Sequence, residues 1–171
     1  MYKRKSEKEI EQAVSLYGNI LYRTACVLLG NGHDAQDVLQ EVLIRYMTKS
    51  PVFDQSSYEK AWLLRGTHNL CRDFLRFRGR HTCLDIEAQV TLAGESADRE
   101  VLQEIIALPL KWKSVMLLHF VEGYQIKEVA SMLGISEDAV KKRLQRGKEA
   151  LKGSLQEAKK IGLKNGEVQH G

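Results

Sequence analysis

GYQIKEVASMLGISEDAVKKRLQRGKEAL, residues 123–151, holds two helical patterns separated by a short turn. Ile126, Val129, Ala130 and Leu133 recur at i, i+3, i+4 and i+7, the spacing of one apolar stripe on a helix. Gly134 follows the last of them and supplies the left-handed residue at which such a helix stops. Ile135 then turns inward, and Ser136 offers its hydroxyl as the N-cap of the next helix. Glu137 and Asp138 suit the positive end of that helix. Val140, Leu144, Gly147 and Leu151 continue an inward face, leaving Lys141, Lys142, Arg143, Gln145, Arg146 and Lys148 on the other sides. Two helices joined in this way match a helix-turn-helix, whose second helix enters the major groove.

Working outward, the 171 residues are 43% hydrophobic and 28% charged, enough apolar material for a packed core. Helical periodicity recurs throughout, whereas alternating strand patterns do not, so the expected class is all-α. A net charge of +4 is compatible with nucleic acid, but the clustering of Lys and Arg is more informative than the total. The charged start MYKRKSEKEIEQ lacks the apolar centre of a signal peptide, and no apolar run reaches the ~20 residues of a membrane span. A cytoplasmic protein is expected. Cys26, Cys71 and Cys83 are odd in number and far apart, which fits a reducing compartment better than a disulfide framework.

In chain order, Ile10, Ala13, Val14, Tyr17, Leu21, Ala25, Leu28 and Leu29 form a first stripe, with Cys26 beside it in the core. Gly30, Asn31 and Gly32 interrupt it, and Asp34 is a candidate cap for a second helix with Val38, Val42 and Met47 inside. The outer face of that helix gathers Asp34, Asp37, Gln40 and Glu41, a surface suited to a basic protein partner. After a loop around Ser50–Ser57, a third helix starts near Tyr58 and mixes Tyr58, Trp62, Leu70 and Phe74 with Arg65, Arg72, Arg76, Arg78 and Arg80. Aromatic residues interleaved with Arg can hold unstacked bases while neutralising phosphates. Residues 81–98 lose periodicity and read as a flexible linker. Arg99 to Ala107 reads as a helix, and Pro109 opens another at its first turn, where a missing N–H does no harm. Trp112, Val115, Met116, Leu118 and Phe120 then supply the core under the helix-turn-helix, and residues 159–171 read as a mobile tail.

These segments together resemble the extracytoplasmic-function sigma factors, a group of the sigma-70 family of RNA polymerase specificity subunits. LLGNGHDAQDVLQEVLIR (28–45) resembles the polymerase-binding helix, AWLLRGTHNLCRDFLR (61–76) the helix that handles the minus-ten element, and residues 108–151 the module that reads the minus-thirty-five element. The resemblance implies two small helical domains, at 8–80 and 99–158. Asp37, Gln40 and Glu41 resemble the positions that bind the coiled-coil clamp of the largest polymerase subunit. Trp62 and Asn69, with the loop from Met47 to Ser57, match the region that holds a flipped base of the single-stranded minus-ten element, and Arg65, Arg72 and Arg76 would anchor phosphates. Ser136, Lys141, Lys142, Arg143, Gln145 and Arg146 are the candidates for the duplex upstream element. Implied partners are core RNA polymerase, promoter DNA and a membrane-bound anti-sigma factor.

Three departures from the family pattern stand out. Asp138-Ala139 replace a usual Gly-Thr, His68 a usual Arg, and Lys113 a common Arg. No cofactor, metal or catalytic residue is expected: His68 and Cys71 could share a helix face, but His68, Cys71, His81 and Cys83 make a poor zinc site and no Ser, Asp or Glu constellation completes a hydrolase. The competing reading is a dimeric helix-turn-helix regulator that binds duplex operators without polymerase.

Overall fold

The structure, a computed structural model, describes residues 2–78 and 103–169, with side chains to 153 apart from that of Arg78. The predicted linker, Cys83, His81 and most of the helix expected from Arg99 lie outside the described residues; 103–107 are helical. Helix α1 is Glu7–Leu29, α2 Gly32–Lys49 and α3 Ser56–Arg78. Helix α4, Leu110–Met116, runs into a π-helical turn, Leu117–Val121, and is followed by α5, Ile126–Leu133, and α6, Glu137–Gln169. Helix α6 thus continues across most of the segment where a mobile tail is expected.

Helix α1 begins with a capping box in which Ser6 Oγ accepts from the Glu9 N–H and Glu9 returns the bond to the Ser6 N–H. It ends at Gly30, whose φ of 70° is the left-handed conformation a side chain resists. Asn31 caps α2 by accepting from the Asp34 N–H at 3.0 Å, so Asp34 is not the cap; it is buried and absent from the outer face. The first three helices pack around Leu21, Leu28, Leu29, Val42, Leu63 and Leu64.

Several inner faces differ from the predicted stripes. Val14 and Tyr58 are exposed, and Tyr46 takes the core position expected of Met47. In α3 the deepest side chains are Leu63, Leu64, Thr67 and Cys71, one residue on from the predicted Trp62, Leu70 and Phe74, which lie partly buried against them. Phe120 is about half exposed because the π turn intervenes: its wider turn rotates the residues after Met116 away from the face that 3.6-residue periodicity assigns them.

The two helical modules touch. Ile106, Val115 and Leu118 belong to the same apolar cluster as the first three helices. Lys113, buried in α4, donates from Nζ to the carbonyls of Val27, Leu28 and Ile106, each at 3.0 Å. Val27 and Leu28 lie in the last turn of α1, whose carbonyls lack partners within the helix and carry the negative end of its dipole. One ammonium with three donors therefore closes the end of α1 from a helix more than 80 residues away. At the other side of the interface Lys60 pairs with Glu122 at 2.9 Å.

His68 is buried with neither ring nitrogen hydrogen-bonded, and burial pushes its pKa down to about 4. It is neutral in the folded chain and protonates near pH 6.5 when unfolded, so stability is full above that pH and falls as pH drops toward 4. Urea unfolding should show a loss of about 2 kcal/mol between pH 7 and pH 5 that His68→Leu abolishes; an equal loss in that variant would place the proton uptake elsewhere.

Candidate nucleic-acid and polymerase interface

The helix-turn-helix forms as its sequence dictates. Helix α5 ends at Gly134 in the left-handed region, φ 67°, and the Ala139 N–H donates to Ser136 Oγ at 3.1 Å to cap α6. Val129, Ala130, Met132, Val140 and Leu144 are buried between the helices. Gly147 is buried where α6 meets α4: a Cβ there would stand 2.4 Å from Met116 Sδ and 3.5 Å from Trp112 Cβ. A side chain at this position would have to displace the flexible end of Met116.

A groove of about 620 Å³ follows, lined by Trp112, Lys142, Gln145, Arg146, Glu149 and Ala150. It unites three predicted residues, Lys142, Gln145 and Arg146, and adds Trp112. Lys141 is exposed on α6 and Arg143 is partly buried; neither lines the groove. Ser136 acts first as a cap. Gln145 donates to Glu149 at 3.2 Å, which orients its amide.

A second cavity, of about 200 Å³, lies between α2 and α3 and is lined by Val42, Arg45, Trp62, Arg65, Gly66, Asn69 and Leu70. Trp62, Arg65 and Asn69, predicted from sequence, meet there; Arg72 and Arg76 lie further along α3, exposed, with Arg72 3.6 Å from Asp73. Phe53 meets Trp62 edge-on with centroids 6.1 Å apart, and Tyr46 lies 6.4 Å from it, so the indole is braced from the loop and from α2. The combination offers a flat aromatic wall, an amide and two guanidinium groups. Such a set suits a single unstacked base and its phosphate.

Asp37 and Gln40 are exposed on α2, and Glu41 beside them is partly buried. Glu41 accepts from Arg45 Nε at 2.9 Å, one turn on, and Arg45 also lines the cavity beside Trp62. Sequence reasoning left Arg45 out because its role depends on how α2 and α3 face each other. Lys113 was legible only as a departure from the family pattern; its partners are too distant in sequence to infer. Cys26 and Cys71 are both buried, and burial raises the Cys71 pKa, which makes Cys71 unreactive core. Among the described residues no group of His, Cys, Asp and Glu could hold a metal, and no helix is long and apolar enough to cross a membrane.

A basic helix-turn-helix and an aromatic, Arg-lined cavity thus lie on one chain. Residues 13–81 match sigma-70 region 2, and residues 98–151 match sigma-70, region 4. The chain belongs to the extracytoplasmic-function sigma factors of the sigma-70 family. It is 28% identical over 174 residues to the ECF RNA polymerase sigma factor SigW of Bacillus subtilis, an alignment covering 91% of this chain and 93% of SigW. It is 29% identical over 161 residues to SigX of the same organism, covering 85% and 83%. Among solved structures, the fold is similar to the sigma factor RpoE in complex with the anti-sigma factor NepR from Bartonella quintana, with a TM-score of 0.68, 21% identity and coverage of 87% of this chain and 98% of that one. CnrH in complex with the cytosolic domain of CnrY gives a TM-score of 0.60 at 23% identity, covering 88% and 90%.

Proposed function

We propose that the chain is a cytoplasmic, non-enzymatic subunit that docks on core RNA polymerase and directs it to promoters, with one DNA-reading surface in each module. The observation that carries this reading is the meeting of Trp62, Arg65 and Asn69 in one cavity, in a chain that also presents a basic groove on α6. A regulator of duplex operators has use for the groove but none for a cavity that accepts an unstacked base. Module one, residues 8–80, docks through Asp37, Gln40 and Glu41 and holds the minus-ten strand with Trp62 and Asn69, while Arg65, Arg72 and Arg76 neutralise phosphates. Extruding the base costs a few kcal/mol of stacking and pairing, which the aromatic wall and amide return. Module two, residues 99–158, sets α6 in the major groove of the minus-thirty-five element through Lys141, Lys142, Gln145 and Arg146, with Ser136 and Arg143 at its edges.

The packed arrangement of the modules is then a resting form. Elements about 25 base pairs apart lie roughly 85 Å apart along duplex DNA at ~3.4 Å per step. A compact chain of this length has a radius of gyration of about 15 Å and spans roughly 40 Å. The interface closed by Lys113 must therefore open before both elements are engaged. A membrane-bound anti-sigma factor that clasps both modules would hold the closed form; similar folds have been solved with the anti-sigma factor NepR and with the cytosolic domain of CnrY.

The docking surface has a direct test. Replacing Asp37 and Glu41 by Lys should lower affinity for purified core polymerase at least tenfold, because two attractions become repulsions, while the circular dichroism of the free chain is unchanged. A pull-down showing normal core binding would remove this face from the account.

A further inference from the structure

The residues ahead of α1 form a strap over the loop between α2 and α3. Tyr2 makes an antiparallel bridge with Pro51, and the Lys5 N–H donates to the carbonyl of Met47 at 3.1 Å. The Lys5 side chain, only 7% exposed, lays its ammonium 5.2 Å from the centroid of Tyr46 and 5.3 Å from that of Phe53. Glu9 stands 3.8 Å from the same ammonium and is itself held in the capping box of α1. The cation is thus fixed from behind and faces two rings. Those rings are the two that brace Trp62. A cation over an aromatic face is attracted by the ring quadrupole, more strongly as water is excluded. The contacts run without a gap from α1 through Lys5 and Phe53 to the indole.

We propose that Lys5 is a positioning residue for capture of the minus-ten strand. By clamping Tyr46 and Phe53 it sets the orientation of Trp62 and the shape of the loop Ser50–Gln55, without touching DNA. The strap is therefore a working part of the strand-reading module, although the matched region 2 begins only at residue 13. The assignment rests on the proposed strand-holding role of Trp62.

The test uses holoenzyme reconstituted from core polymerase and the full chain, on a promoter selected from a random library by the unsubstituted holoenzyme. Open-complex formation is read by permanganate reactivity of minus-ten thymines with Trp112 in place, and the setting of Trp62 by its emission in the free chain carrying Trp112→Phe. Lys5→Ala should open the promoter about tenfold less well, as expected for loss of two ring contacts, and shift Trp62 emission to the red. Core affinity and binding to an upstream-element duplex should stay unchanged, and Lys5→Arg, which stacks on rings equally well, should restore opening. Wild-type opening by Lys5→Ala, or a loss that Lys5→Arg fails to rescue, would overturn the role of Lys5 while leaving the sigma assignment intact. Failure of the unsubstituted holoenzyme to select any promoter would instead bring down the assignment beneath it.

Discussion

Replacing Lys113 by Met is expected to lower the unfolding free energy by about 3–5 kcal/mol and to let the two modules move apart. Met keeps most of the side-chain volume, so the loss is that of the ammonium. Its three bonds end on carbonyls of Val27, Leu28 and Ile106. Each buried acceptor left without a donor costs about 1–3 kcal/mol, and two of the three also lose the cation that balanced the end of α1. Urea titration reads the stability, and small-angle scattering at low protein concentration reads the separation as a larger radius of gyration. The Lys60–Glu122 pair, partly exposed at 2.9 Å, adds little beside the apolar contact of Ile106, Val115 and Leu118, since a pair open to solvent is worth at most about 1 kcal/mol. A variant as stable and as compact as the parent chain would show that the buried lysine is incidental.

The second large effect concerns α6. Lys141→Ala with Arg146→Ala should weaken binding to the upstream duplex element by about 2–6 kcal/mol, the sum of two groove contacts at ~1–3 kcal/mol each. Both side chains are exposed, so the fold is untouched. Salt dependence separates the two ways such residues act. If either contact is to phosphate, the slope of log affinity against log salt falls by about one for each; if both are to base edges, discrimination among element sequences collapses while the slope holds. Unchanged upstream preference by fluorescence anisotropy with both residues replaced would remove α6 as the reading helix.

Much of the architecture is legible in local chemistry. Gly134 and Ser136 mark the turn of the helix-turn-helix because a left-handed residue and a hydroxyl cap are local demands that few residue types meet. The end of α1 at Gly30 is legible for the same reason. Helix phase is less so. In α3 many positions are apolar or half-apolar, and the stripe of Leu63, Thr67 and Cys71 is separated by one residue from the equally periodic Trp62, Leu70 and Phe74. Only packing against α1 and α2 decides between them. Phe120 fails for another reason, since a π turn breaks the period on which its placement depends.

The candidate sites divide in the same way. Trp62, Arg65 and Asn69 share one face of α3 by spacing alone and do converge. Arg45, Lys5 and Lys113 act through elements brought together only by the fold, and helical periodicity carries no trace of such partners. Lys113 reads as a conservative replacement for Arg until its three carbonyls are seen.

Transcription from promoter DNA with purified core polymerase tests the central claim most directly. With the full chain added, core polymerase should initiate at defined start sites preceded by recognisable minus-ten and minus-thirty-five elements, and should initiate at none of them without it. A chain that binds duplex DNA tightly by itself but never directs core polymerase to start would contradict the account and leave a duplex-operator regulator in its place.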